Sequence, residues 1–284
     1  MTRTQHFSTN NQSIAYEMAG HGPPLLLLHG FPQTRAMWRP MIPALADRFT
    51  VVTADLRGYG DSSKPATMPE MSFRCMAQDM VDLMDHLGHT QFHAVGHDRG
   101  ARTAHRMALD HPQVVQSLIV MDIVPTEYLL TNMTTEIARA YYHWLFLAQP
   151  YPFPETMIGH DPDAYFERCL LGFGKARLSD FDADLLATYR TAWRDPDCIR
   201  AMCHDYRAAL DIDWADDQSD LNRRVACPTL VLYGKDGAMA QLLDVPGTWA
   251  DRLSDMSHAA IDGGHFFPDQ SPEATSDAII RFFT

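Results

Sequence analysis

Four apolar runs punctuate the first half of the chain: PLLLLHG (24–30), TVVTADLRG (50–58), QFHAVGH (91–97) and VQSLIVMDI (115–123). Each closes with Gly, His or Asp at or beside its end. Continuous runs of this kind fit strands covered on both faces, as in a parallel sheet. The segment SFRCMAQDMVDLMDHLG (72–88) instead has helical spacing, with Met76, Met80, Leu83 and Leu87 near one face and Gly88 as the stop. Strands alternating with helices predict an α/β sheet with helices on both sides.

The rhythm breaks near Thr126. From there to Asn222 only helix-like, aromatic-rich stretches occur (IARAYYHWLFLA, DADLLATYRTAW, DCIRAMCHDYRAAL). Strand patterning resumes with CPTLVLYG (227–234) and SHAAIDGGH, and PEATSDAIIRFF reads as a closing helix. The expected organisation is an α/β core in two parts, 1–125 and 223–284, with an all-helical cap, 126–222, inserted between them. Such a cap would lie over the C-terminal edge of the sheet, where these folds place their ligands.

Composition and charge remove several function classes. With 284 residues, 46% hydrophobic and 21% charged, the chain is an ordinary globular one. A formal net charge of −13 argues against nucleic-acid binding and restricts any anionic substrate to a local concentration of cations. The five cysteines are scattered without metal-ligand spacing, so reduced thiols, no metal and no cofactor are expected. MTRTQHFSTN has no apolar signal core, and no stretch reaches the roughly 18 apolar residues of a membrane span. A soluble, cytoplasmic protein without membrane partners is the expectation.

Gly96-His97-Asp98-Arg99-Gly100 has the form Gly-x-nucleophile-x-Gly between a predicted strand and a predicted helix, with Asp98 in the middle. A bare strand–helix junction would equally suit Asp98 as a helix N-cap. His29-Gly30-Phe31-Pro32 follows an early strand, where this architecture places an oxyanion hole; the Phe31 and Arg99 N–H groups are its expected donors. Of the 14 histidines, His265 in GGHFFPDQ sits in the loop where the order nucleophile, acid, histidine would put a base. Asp122 and Asp236 could each orient it. Because Gly237 occupies the place where an acid commonly stands, Asp122 is preferred and Asp236 reads as a solvated turn.

On these residues the chain resembles the α/β-hydrolase superfamily over essentially its full length. More closely it is similar to the haloacetate dehalogenases that act on fluoroacetate, through Asp98-Arg99-x-x-Arg102, Asp122 in MDIVPT, His143-Trp144 in YYHW, Tyr206 in CHDYRAALDID, and His265. The resemblance implies a mostly parallel sheet flanked by helices, a homodimer, and hydrolysis of fluoroacetate or chloroacetate to glycolate and halide through an aspartyl ester. Asp98 would be the nucleophile, His265 the base and Asp122 its orienting acid. Arg99 and Arg102, three apart on the elbow helix, could both reach a small carboxylate beside Asp98. His143, Trp144 and Tyr206 would solvate the departing halide, although singly Trp144 and Tyr206 read as packing residues of an aromatic cap. Arg102 could also be a surface ion-pair partner of Asp98. Arg106, one turn on, reads as solvated.

An epoxide hydrolase is the nearest rival, since it too uses an Asp nucleophile, a His base and cap tyrosines. Tyr206 could serve there, with Tyr141, Tyr142, Tyr151, Tyr165 or Tyr189 as a second. A non-catalytic small-ligand receptor of the same fold is the rival from another class. The complete set of nucleophile, base and acid argues against the receptor, and the arginine pair with His143-Trp144 against the epoxide.

Overall fold

The structure is a computed structural model describing residues 3–172 and 176–284. Eight strands form one sheet: β1 (Gln5–Thr9), β2 (Gln12–Ala19), β3 (Pro24–Leu28), β4 (Thr50–Ala54), β5 (Phe92–His97), β6 (Val115–Met121), β7 (Thr229–Gly234) and β8 (Met256–Ile261). Their order is β1-β2-β4-β3-β5-β6-β7-β8. From β4 to β8 every pairing is parallel, with Leu26 opposite Val52 on one side and Ala94 on the other. The apolar runs read from sequence are these central strands, and Leu25 to Leu28 are wholly buried, as strands covered on both faces must be.

The sequence reading missed β1 and β2. They form an antiparallel hairpin closed by Asn10 and Asn11 at φ 47° and 59°, and β2 pairs antiparallel with β4. Two consecutive left-handed residues make the turn whose twist suits a hairpin, and Asn tolerates that conformation. The strand QHFST is largely exposed at the sheet edge, so it carries no apolar run to betray it.

The helix Phe73–His86 starts at Ser72, whose side chain accepts from the Cys75 N–H, and ends before Gly88 at φ 83°. It buries Met76, Met80 and Leu83 against the core, while Leu87 is partly buried. The closing helix is Pro272–Phe283.

Between β6 and β7 all described elements are helical. IARAYYHWLFLA is not one helix: Thr135–Ala140 and Tyr142–Leu147 are separated at Tyr141, whose φ of −111° and ψ of 30° break the helical path. The helix Pro196–Ala208 is capped by Asp195 and runs into a π-helical turn, Ala209–Asp213. Arg106 corrects another expectation: it is buried and paired with Asp110 at 2.8 Å and Asp220 at 2.6 Å. Among the described residues no helix is long and apolar enough to cross a membrane.

Candidate active site

Strands β5, β6 and β8 deliver Asp98, Asp122 and His265 to one end of the sheet. Asp98 follows β5 at φ 49° and ψ −113°, a backbone conformation that costs an ordinary residue about 1–3 kcal/mol. The turn closes because its neighbours lack side chains: a Cβ on Gly96 would strike the Gly100 carbonyl, and one on Gly100 the carbonyls of Leu28 and His29. The Asp98 side chain makes no capping bond to its own helix, which removes the N-cap reading. Instead Oδ1 accepts from the Phe31 N–H at 3.0 Å. The other expected oxyanion donor, the Arg99 N–H, opens the helix Arg99–Asp110, where an amide has no intrahelical acceptor.

Asp122 follows β6 at φ 50° and is fully buried. Its Oδ1 accepts from the Gly234 N–H at 2.8 Å, and Oδ2 faces His265 Nδ1 at 2.7 Å. His265 Nε2 then lies 3.8 Å from Asp98 Oδ2. Of the two candidate acids, Asp122 lies beside His265, whereas Asp236 is an exposed turn residue whose N–H bonds the Gly263 carbonyl. His97, which the sequence reading passed over, has Nε2 2.8 Å from the His265 carbonyl oxygen and so anchors that loop.

Burial alone would raise the Asp98 carboxyl, but the surrounding His265, Arg99, His97 and Arg102 outweigh it and hold it down at about 2. It is ionised at neutral pH. Burial pulls His265 down, yet the hydrogen bond and charge of Asp122, with Asp98 beyond, leave its imidazole above the usual 6.5.

Arg99 and Arg102 are both buried, so neither is a surface residue, and Arg102 makes no ion pair with Asp98. Their guanidinium carbons sit 5.1 and 4.7 Å from the Trp144 ring centre, and that of Arg99 4.4 Å from the Tyr206 ring. The arrangement differs from the expectation of two free forks. Arg99 spends Nε and Nη2 on Asp205, with Nε 2.9 Å from Oδ2, and Asp205 also accepts from the Tyr59 hydroxyl at 2.6 Å. Nη1 of Arg99 is left buried without a partner. Arg102 donates through Nη1 to the Val124 carbonyl at 3.0 Å and to Thr126 Oγ1 at 2.8 Å. Burial first, then the neighbouring Arg99, lower its pKa to about 10, which still leaves it charged. Asp205 lies 106 residues from Arg99 and carries no local signal that could have found it.

His143, Trp144 and Tyr206 lie close to one another. The Tyr206 ring stands edge-on to His143 at 5.6 Å, Trp144 at 5.4 Å and Phe31 at 5.1 Å. Burial lowers His143 to about 3 and raises Tyr206 well above 10, so both are neutral at pH 7. The Tyr206 hydroxyl is buried without a hydrogen-bond partner. A cavity of about 140 Å³ reaches Asp98, His265, Phe31, His143 and Tyr141; Arg99, Arg102, Trp144 and Tyr206 are not part of its wall. Among the described residues no three His, Cys, Asp or Glu side chains are grouped to hold a metal ion.

The model of the alpha/beta hydrolase fold family matches residues 23–272. The chain is 50% identical to a fluoroacetate dehalogenase of Burkholderia sp over 94% of its length and 89% of that protein's. It is 31% identical to a soluble epoxide hydrolase of Corynebacterium sp. (strain C12), over 96% and 94% of the two chains. Among solved structures, a protein of Nostoc sp PCC 7120 provisionally described as an alpha/beta hydrolase superposes with a TM-score of 0.97 at 47% identity, covering 100% of this chain and 98% of that one. The chain therefore belongs to the α/β hydrolases and, within them, to the haloacetate dehalogenase family.

Proposed function

We propose that the protein is a hydrolase acting on carbon–halide bonds that converts haloacetates, fluoroacetate and chloroacetate among them, to glycolate and halide, with Asp98 as nucleophile. The observation carrying this reading is the pair of buried guanidinium groups packed on Trp144 and Tyr206 beside an ionised Asp98. Arg99 already has Asp205, but Arg102 has no carboxylate partner among the described residues; a neutral haloalkane or epoxide would leave it so, and a small carboxylate answers it.

Phe31 N–H holds Oδ1 of Asp98, which leaves Oδ2 to attack the substrate methylene. A C–O bond forms as the C–F bond breaks, fluoride departs with the bonding pair, and an ester remains on Asp98. His265, oriented by Asp122, then takes a proton from water, whose oxygen attacks the Asp98 carbonyl carbon. The oxyanion develops on Oδ1, against the Phe31 donor already in place and the Arg99 N–H. Collapse breaks the ester C–O bond, His265 returns its proton to the departing glycolate oxygen, and the proton left on Asp98 passes to solvent as the carboxylate is restored.

Fluoride leaves poorly, so its growing charge needs donors. His143, Trp144 and Tyr206 each carry one, and hydrogen bonds to a charged group contribute roughly 1.5–3 kcal/mol each. Orienting the attack contributes about 7–11 kcal/mol, so solvation of the halide is the smaller term and yet a necessary one. The cap expected over residues 126–222 supplies these donors.

One observation favours the epoxide reading: Tyr141 lines the same cavity as Asp98 and provides a second phenol with Tyr206. Incubating the protein separately with fluoroacetate, chloroacetate and styrene oxide decides between the two. Halide release supports our reading; diol formation without halide release rejects it.

A further inference from the structure

Behind Arg102 the fold encloses a second, small cavity that the reaction above does not use. It lies between Phe73, Arg102, His105, Arg106, Asp213 and Trp249 and measures about 10 Å³. Four of those side chains are more than nine-tenths buried and each has a polar atom with no hydrogen-bond partner: Arg102 Nε, His105 Nε2, Arg106 Nε and Nη1, and Asp213 Oδ2. Buried polar groups are nearly always satisfied, so this many orphans around one space call for an occupant.

We infer that the cavity holds one ordered water molecule that anchors Arg102 from behind, a role that rests on Arg102 being the carboxylate binder. Volume favours water, since a cavity of about 10–15 Å³ on this measure admits one. Charge favours it over an anion. Arg106 is already paired with Asp110 and Asp220, and the carboxyls of Asp213 and Asp217, both raised by burial, line the same space and in either protonation state suit water better than an anion. Valence also fits. Burial lowers His105 to about 3, so its ring is neutral and Nε2 can accept. The water then accepts from Arg102 Nε and Arg106 Nε and donates to His105 Nε2 and Asp213 Oδ2, a complete set of four.

Arg102 is thereby held at two points: Nη1 by the Val124 carbonyl and Thr126, and Nε by the water. Nη2 makes no hydrogen bond among the described residues and remains for the substrate carboxylate. The water is the fixed rear support of that guanidinium.

A crystal structure of the substrate-free protein at high resolution, with a second crystal soaked in sodium bromide, tests the occupant without reference to activity. A single water within hydrogen-bond distance of Arg102 Nε and Asp213 Oδ2, and no anomalous bromide peak there, is the expected result; an empty or collapsed cavity, or a bromide peak, overturns it. His105→Phe tests the anchoring, because it keeps a ring against Trp249, now 5.1 Å away, and removes an acceptor from the cavity. KM for fluoroacetate should rise about fivefold, the scale of one lost hydrogen bond, with kcat little changed. An unchanged KM in a variant whose crystal lacks the water contradicts the anchoring role. Water present in a protein that releases no halide from any haloacetate would leave the site standing and remove only the proposed reaction.

Discussion

His265 stands between two carboxylates at unequal distances, with Nδ1 2.7 Å from Asp122 Oδ2 and Nε2 3.8 Å from Asp98 Oδ2. The short contact fixes the ring and its tautomer. The long one leaves Nε2 facing the proposed nucleophile beyond direct hydrogen-bond reach. In the reaction we propose, an imidazole so placed serves the second half, in which the ester is hydrolysed, and not the displacement of halide.

His265→Gln should therefore separate the two halves. Mixing the variant with excess fluoroacetate is expected to release about one fluoride per active site and then stop, with steady turnover reduced by about 10²–10⁴. The ester on Asp98 would be visible as added mass on the intact protein. Steady turnover at the wild-type rate would remove His265 as the base.

Replacing the proposed nucleophile is more drastic. Asp98→Asn is nearly the same size and keeps the acceptor for the Phe31 N–H, so the fold should hold while halide release disappears. Asp98 is also one of the charges holding His265 above its usual value. The imidazole pKa, followed by NMR, should accordingly fall in this variant.

Arg102→Met tests the carboxylate site. It removes one charged donor from a buried place, and charged hydrogen bonds of about 1.5–3 kcal/mol translate into a rise in KM for fluoroacetate of roughly 10- to 150-fold. Steady-state kinetics read this directly. A kcat lost at constant KM would place Arg102 in the chemistry instead.

The cap donors should discriminate between halides. Fluoride concentrates its charge more than chloride and depends more on hydrogen bonds, so Trp144→Phe and Tyr206→Phe should depress kcat on fluoroacetate by about 10- to 100-fold and on chloroacetate by less. Equal losses on both substrates would make these residues packing groups, as each reads when taken alone.

Much of this site was legible before the fold was. The elbow glycines, Phe31 and His265 follow strand ends that an apolar run marks, and Gly237, standing where the usual acid would, points to Asp122 over Asp236. Ion pairing was not legible. Arg106 looks solvated on a helix of ordinary pattern, yet it is buried by Asp110 and Asp220, the second 114 residues away. Asp205, which takes up two nitrogens of Arg99, is likewise created by tertiary contact alone. The first hairpin escaped for the opposite reason: an edge strand needs few apolar residues, and Asn10-Asn11 was its only signal. The break at Tyr141 could not be seen in an aromatic run that is helical on both sides.

The pH dependence follows from His265. Its folded pKa is raised, so the base is lost as pH falls through a value above 6.5, and ester hydrolysis slows on the acid side. Stability runs the other way: the contribution of a raised imidazole is fully present below its unfolded pKa and fades as pH rises through the folded one. Asp98, lowered to about 2, adds stability that is present above its unfolded pKa and is lost only as pH falls toward that value. A kcat profile rising with pH, together with a melting temperature that loses the imidazole contribution over the same interval, checks both signs. In Asp122→Asn both features should weaken.

The central claim is that a carboxylate oxygen of Asp98 joins the substrate carbon. A single turnover in heavy-oxygen water, with excess enzyme over fluoroacetate, tests it most directly. Mass spectrometry of the peptide containing Asp98 should find the heavy oxygen in that side chain, and the glycolate formed should carry the ordinary isotope. Heavy oxygen in the first glycolate, with Asp98 unlabelled, would mean that water attacks the substrate carbon itself and would contradict the account.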